Sequence, residues 1–221
     1  MRTRTRTLVL IAALALALGL GGGVAMGVLR DQAGPKVPAL AAEVLVKPKA
    51  FDGYTLVNQD GQGFDQRSFV GKWSFVFFGY THCPDICPMT LSLMKQVKTA
   101  LKSRGEPLRD LQVVFISVDP ARDTVSHMRD YVHYFDKGFI GVTGDPAQIH
   151  IAETDVGAIH KMGPKKADGQ YEVSHSSYIY LIDPLGRLYA RFNGIDEVPR
   201  IVDRYLAVRH FYTVSAGGEG A

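Results

Sequence analysis

Two apolar runs of strand length, Trp73 to Tyr80 (WSFVFFGY) and Leu111 to Val118 (LQVVFISV), limit the fold more than any other feature of the sequence. Between them lies a helix-like segment from about Pro88 to Ser103, so the three together predict a β-α-β unit. The alternation continues with a helix from Thr124 to about Phe135, a short strand near Phe139 to Val142, and a helix opening at Asp145-Pro146. A hairpin is expected around Asp60-Gly61. After Lys161 the polar stretch GPKKADGQ reads as a loop. A strand at Ser177 to Ile182, a turn at Asp183 to Gly186 and a partner strand at Arg187 to Phe192 form a second hairpin, followed by an amphipathic helix from about Glu197 to His210.

Ahead of this pattern, three arginines and no acid occupy the first seven residues, and Leu8 to Leu29 is a run of 22 residues without a charge. At about 1.5 Å per helical residue the run reaches roughly 33 Å, enough for a hydrocarbon core of about 30 Å. No A-x-A-like site stands cleanly after it, so an uncleaved anchor over residues 1–30 is preferred to a secretory signal peptide. Arg2, Arg4 and Arg6 should stay in the cytoplasm, which exports the rest of the chain. Residues 31–50 hold three prolines and no clear period and read as a tether. Residues 51–212 form the expected domain, and the tail 213–221 is expected to be disordered. The whole is expected to be an α/β, thioredoxin-like fold, a mixed central sheet flanked by helices, behind one transmembrane helix.

The net charge of +3 raises the question of nucleic acid. Four of the 25 basic residues lie in the anchor, leaving 21 basic against 22 acidic residues outside it. A near-neutral exported part offers no footprint for a phosphate backbone, so nucleic acid is not expected as a partner.

The chain has two cysteines, Cys83 and Cys87, in GYTHCPDICP, directly between a predicted strand and a predicted helix. Ligand sites of open α/β sheets are commonly built at the carboxyl ends of strands. A stabilising disulfide is the competing reading, but closing a five-residue loop contributes only about 2 kcal/mol. Pro88 argues against regular helix through the pair, since a proline inside a helix clashes with the carbonyl four residues back. The helix is therefore expected to start at Pro88, with Cys87 at its N-terminus, where the macrodipole favours thiolate. Such a loop can close into a disulfide or open around a metal, and soft thiolates select Cu(I), zinc or iron–sulfur clusters.

A third donor would have to come from the seven histidines. His175, in VSHSS at the mouth of an apolar strand, stands out, although a lone histidine beside a strand is more often a loop residue than a ligand. His82 adjoins Cys83, but neighbouring side chains usually point apart, and a supporting or packing role suits it equally. His127, His133, His150, His160 and His210 carry no partner motif. Asp119 is placed to face the cysteine loop from a neighbouring strand end, and Asp123 or Thr124 reads as a helix N-cap.

Taken together, GYTHCPDICPMTL, FISVDPARDT and VSHSSYIYLIDPLGR, in that order over roughly residues 45–210, resemble the Sco/SenC family of cytochrome c oxidase assembly proteins. The resemblance implies that Cys83, Cys87 and His175 bind copper, as Cu(I) or Cu(II). It implies delivery of that copper to the dinuclear site of cytochrome c oxidase subunit II, or reduction of the cysteines of that site. Cys83 and Cys87 would then also serve as a redox-active pair. Another periplasmic copper chaperone is the expected donor, and the expected location is the bacterial inner membrane, single-pass, with the domain in the periplasm. A membrane-anchored thiol-disulfide oxidoreductase and a copper or redox sensor remain as alternatives. Thioredoxins use Cys-x-x-Cys with a cis-proline beside it, whereas this pair is one residue wider and no proline occurs between Pro164 and Pro184.

Overall fold

A computed structural model describes residues 44–194 and 196–218; the expected membrane anchor and most of the tether lie outside the described residues. In chain order the strands are β1 (Val44–Ala50), β2 (Leu56–Asn58), β3 (Gly63–Phe64), β4 (Trp73–Gly79), β5 (Leu111–Ser117), β6 (Phe139–Thr143), β7 (His160–Met162), β8 (Val173–His175), β9 (Tyr178–Ile182) and β10 (Arg187–Asn193). The helices are α1 (Ile86–Ser103), α2 (Val125–Phe135), α3 (Pro146–Val156) and α4 (Val198–Gly218). Eight strands form one sheet in the order β1-β10-β9-β4-β5-β6-β2-β3, and β7 and β8 form a separate two-stranded ladder. The centre, β4-β5-β6, is parallel, and the flanking pairs are antiparallel. This is the mixed α/β, thioredoxin-type arrangement the alternating sequence predicts.

All seven residues of β4 are buried because both faces of the sheet are covered. Successive side chains point to opposite faces. Trp73, Phe75 and Phe77 pack with Leu91, Met94, Val97 and Leu101 of α1, Met128 and Val132 of α2, and Ile201, Val202 and Tyr205 of α4. Val76 and Phe78 enter the opposite core with Ile149, Ala152 and Val156 of α3. Local signals set the helix starts: the Asp145 side chain accepts the Ala147 amide ahead of Pro146, and Thr124 accepts the His127 amide. In the β9–β10 turn, buried Asp183 accepts the amides of Leu185 and Arg187 and pairs with the Arg187 guanidinium.

Three boundaries differ from expectation. Residues 44–50, read as tether, form edge strand β1 against β10, with a register shift between Val44 and Lys49 that accommodates Pro48. Helix α1 begins at Ile86 rather than Pro88. A proline in the first turn removes an amide that has no intrahelical partner in any case, so Pro88 does not forbid the earlier start. Helix α4 continues to Gly218, past the residue 213 at which a disordered tail was expected.

Candidate metal centre

The Cys83–Cys87 loop leaves the carboxyl end of β4 and turns into α1. Cys83 is half-buried, and its amide donates to the Tyr80 carbonyl at 3.2 Å. Cys87, the second residue of α1, is buried beneath it. β9 runs antiparallel to β4, with Tyr180 opposite Val76, so the residues just before β9 arrive at the same end of the sheet. There β8 ends on His175, whose Nε2 lies 3.4 Å from Cys87 Sγ although 88 positions separate the two residues. The donor atoms of Cys83, Cys87 and His175 all lie within 4.8 Å of one another. Among the described residues this is the only cluster of three His, Cys, Asp or Glu donors placed to hold a metal.

The imidazole is oriented from behind. His175 Nδ1 is 3.0 Å from the Ser176 carbonyl, which can only accept, so Nδ1 carries the hydrogen and the neutral ring presents the Nε2 lone pair to the sulfurs. The Tyr80 ring stands edge-on to it at 6.0 Å. Gly79 is required by the same crowding: a Cβ there would lie 2.5 Å from Cys87 Sγ and 2.7 Å from Phe115 Cε2. The enclosed space bordered by Cys87, Thr90, His175 and Ser176 has a volume of about 10 Å³, room for a single small atom and not for an organic substrate.

The two thiols divide their charge unequally. The hydrogen bond with the Cys87 thiol, with help from His175 and the amides of Asp85 and Cys87, outweighs burial and holds the Cys83 thiol down at about 3. The same hydrogen bond, together with burial and the adjacent Cys83 charge, pushes Cys87 far up. This reverses the expectation that Cys87, at the helix N-terminus, is the thiolate: its hydrogen bond with Cys83 and its burial together override the macrodipole. Burial opposes a charged His175, but hydrogen bonds with Cys83 and the Ser176 carbonyl raise its pKa nonetheless. The arrangement offers a half-exposed thiolate, a buried thiol and a borderline nitrogen donor converging on one point.

Asp119 does not face this loop. It accepts from Arg122 Nε and, at 2.7 Å, from Tyr171 OH, while the Arg122 guanidinium stacks on the Tyr171 ring at 3.7 Å and reaches over Tyr80 at 5.6 Å. Asp119 thus braces the β7–β8 finger against the wall of the site. The carboxylate that does hold the cysteine loop is Asp123, read from sequence as a helix cap. It is buried and accepts from Ser117 Oγ, the Thr81 amide and Thr81 Oγ1. No local signal marks it, since its three partners come together only after β4 and β5 align in register. His82 lies outside the three-donor cluster, with its ring on the surface. The β7–β8 ladder, which sets His160 opposite His175, was not expected either, because two three-residue strands of mixed polarity carry no readable period.

Comparison with known proteins bears on the family and the fold. A family model described as SCO1/SenC matches residues 45–208. The mitochondrial SCO2 homologue of Mus musculus is 37% identical over 161 residues, covering 71% of this chain and 62% of that protein, so the match spans less than two thirds of the relative's length. The crystal structure of Arabidopsis thaliana ScoI with copper bound superposes with a TM-score of 0.67 at 32% identity, covering 74% of this chain and 100% of that one. BsSco, a member of the Sco family of cytochrome c oxidase assembly proteins in which a disulfide switch was identified, aligns at 27% identity with a TM-score of 0.55, covering 76% of this chain and 95% of that one.

Proposed function

The chain belongs to the SCO1/SenC family, and on that premise we propose that it binds copper through Cys83, Cys87 and His175 and serves the assembly of cytochrome c oxidase. The observation that carries this reading is the convergence of two sulfurs and one imidazole nitrogen within 4.8 Å of one another. Two thiolates and one imidazole suit copper in either oxidation state, and three ligands leave a position open for a receiving protein's ligand. Copper is here the cargo, received from another exported copper chaperone and passed to the dinuclear site of cytochrome c oxidase subunit II. Residues 1–30 anchor the protein in the bacterial inner membrane and place the domain in the periplasm, as the arginine-flanked apolar run supports. Loading releases the proton held by Cys87, because a thiol must ionise to ligate.

One observation favours a second activity of the same residues. Cys83 is half-exposed with its pKa held at about 3, while Cys87 lies protonated beneath it. That is the asymmetry of a thiol-disulfide exchange pair, in which the outer thiolate attacks a partner's disulfide and the inner thiol, once ionised, resolves the mixed disulfide. Reduction of the cysteines of the subunit II site before copper delivery would use it.

The test is complementation. In a strain lacking this protein, the wild-type gene should restore oxidase activity and the copper content of subunit II, whereas Cys83→Ser, Cys87→Ser and His175→Ala should not. Restoration by His175→Ala alone would favour the reductase over the copper carrier. Normal oxidase in the deletion strain would refute both.

A further inference from the structure

We propose that His82 and His127 form a second, surface metal site beside Cys83, which takes Cu(II) before it reaches the buried cluster. This rests on the reading of the chain as a copper carrier. His82 lies in the cysteine loop and His127 in the first turn of α2, and their rings face each other at 5.5 Å between centroids, tilted by 60°. Both residues are exposed to solvent. Two imidazoles sharing one ion at about 2.0 Å per bond, at an angle of about 90–120°, place their centroids about 4.5–5.5 Å apart. The pair already stands at that separation.

The second observation is how His82 is held. Thr81 Oγ1 donates to buried Asp123 Oδ1 at 2.5 Å, so its only hydrogen is committed. Its 3.1 Å contact with His82 Nδ1 must then be an acceptance, which fixes the hydrogen on Nδ1 and leaves the neutral ring's lone pair on Nε2. Metal-ligating histidines are commonly oriented by a carboxylate behind the ring, and here a hydroxyl is interposed between the two. Asp123 Oδ1 also lies 3.8 Å from Nδ1, a buried negative charge that favours a cation at the ring. Anchoring the loop accounts for the bonds between Asp123 and Thr81, and the same relay fixes the His82 ring with Nε2 as its open donor.

Imidazole suits copper, zinc and nickel, and among divalent ions Cu(II) binds such a site most tightly. Two protein ligands hold it loosely, with water in the remaining positions. Handover is ligand exchange without change of oxidation state: the bonds to His82 and His127 break as bonds to Cys83 Sγ, Cys87 Sγ and His175 Nε2 form, and the Cys87 proton goes to water.

The full-length protein in detergent tests this, with copper(II) chloride as the probe. The Cys83→Ser/Cys87→Ser double variant should still take up about one Cu(II), with an electron paramagnetic resonance spectrum of nitrogen ligation, and adding His127→Ala should abolish that uptake. In the otherwise wild-type protein, His127→Ala should slow loading of the buried cluster from a copper(II)–glycine complex at least fivefold and leave its final copper content unchanged. Undiminished Cu(II) uptake after His127→Ala in the double variant, or an unchanged loading rate, would overturn the inference while leaving the copper-carrier reading intact. A wild-type protein that never loads the cysteine cluster would instead refute the carrier reading.

Discussion

Gly79→Ala should strain the molecule at one atom of the candidate centre. The added Cβ would sit 2.5 Å from Cys87 Sγ and 2.7 Å from Phe115 Cε2. The backbone at Gly79 is held by β5, where Ser117 is its partner in the ladder and the Val118 amide donates to the Gly79 carbonyl at 2.8 Å. The Phe115 ring is packed between Phe77 and Tyr131, at centroid distances of 5.1 and 5.7 Å. The Cys87 sulfur is the one group free to yield, by rotating about its Cα–Cβ bond. Overpacking of this kind costs about 1–3 kcal/mol, which in a domain of this size lowers Tm by about 2–12 °C. Rotation relieves much of the strain while the metal is absent, whereas ligation must draw Sγ back against the methyl group. The contact with Phe115 is left to lower Tm, and the part relieved by rotation, up to about 3 kcal/mol, reappears on ligation, so copper affinity should fall by up to about 150-fold. Competition with a copper chelator, beside thermal unfolding of the metal-free protein, reads both quantities. A variant with wild-type affinity and Tm would refute the reasoning. A lowered Tm with unchanged affinity would show that the sulfur is not the group that moves.

The charge division between the thiols predicts that alkylation of Cys83 by iodoacetamide keeps a constant thiolate fraction from about pH 5 to 8, whereas an ordinary cysteine titrating near 9.0 would gain reactivity throughout. Because the folded pKa is depressed, the stability this thiolate contributes is present above the unfolded value and is lost as acid pH approaches about 3. A rate that climbs tenfold per pH unit across that range would contradict the assignment. Asp123→Ala leaves Ser117 Oγ and the Thr81 amide and hydroxyl without their acceptor, and should destabilise by about 3 kcal/mol in urea unfolding and loosen the cysteine loop. An effect below about 1 kcal/mol would mean that water replaces the carboxylate without loss.

Sequence reading reached the parts of this molecule whose signals are local. The run Trp73 to Gly79 is apolar throughout because both its faces are covered, and Asp145-Pro146 announces a helix through its own side chain and ring. The cysteine pair is visible as a motif, and His175 stands out among the histidines from its place at a strand mouth, but its role as third ligand came only through resemblance, since nothing near residue 175 refers to residue 87. What stayed hidden depends on pairing at a distance. β1 contains Pro48 and charged residues and is a strand only because β10 offers it an edge. Asp123 resembles a cap by position and becomes the anchor of the cysteine loop only once Ser117 and Thr81 are brought to it. The location of the thiolate likewise followed from the hydrogen bond between the two cysteines and the burial of Cys87, which reverse what the helix terminus alone suggests.

The most direct test of the central claim is the copper stoichiometry and affinity of the full-length protein with and without His175, under a competitor that strips the loose surface histidines. The account predicts about one tightly held copper in the wild type, loss of tight binding in Cys83→Ser and Cys87→Ser, and an affinity lowered at least 100-fold in His175→Ala. Copper retained at wild-type affinity by His175→Ala would contradict a centre built from two sulfurs and this imidazole.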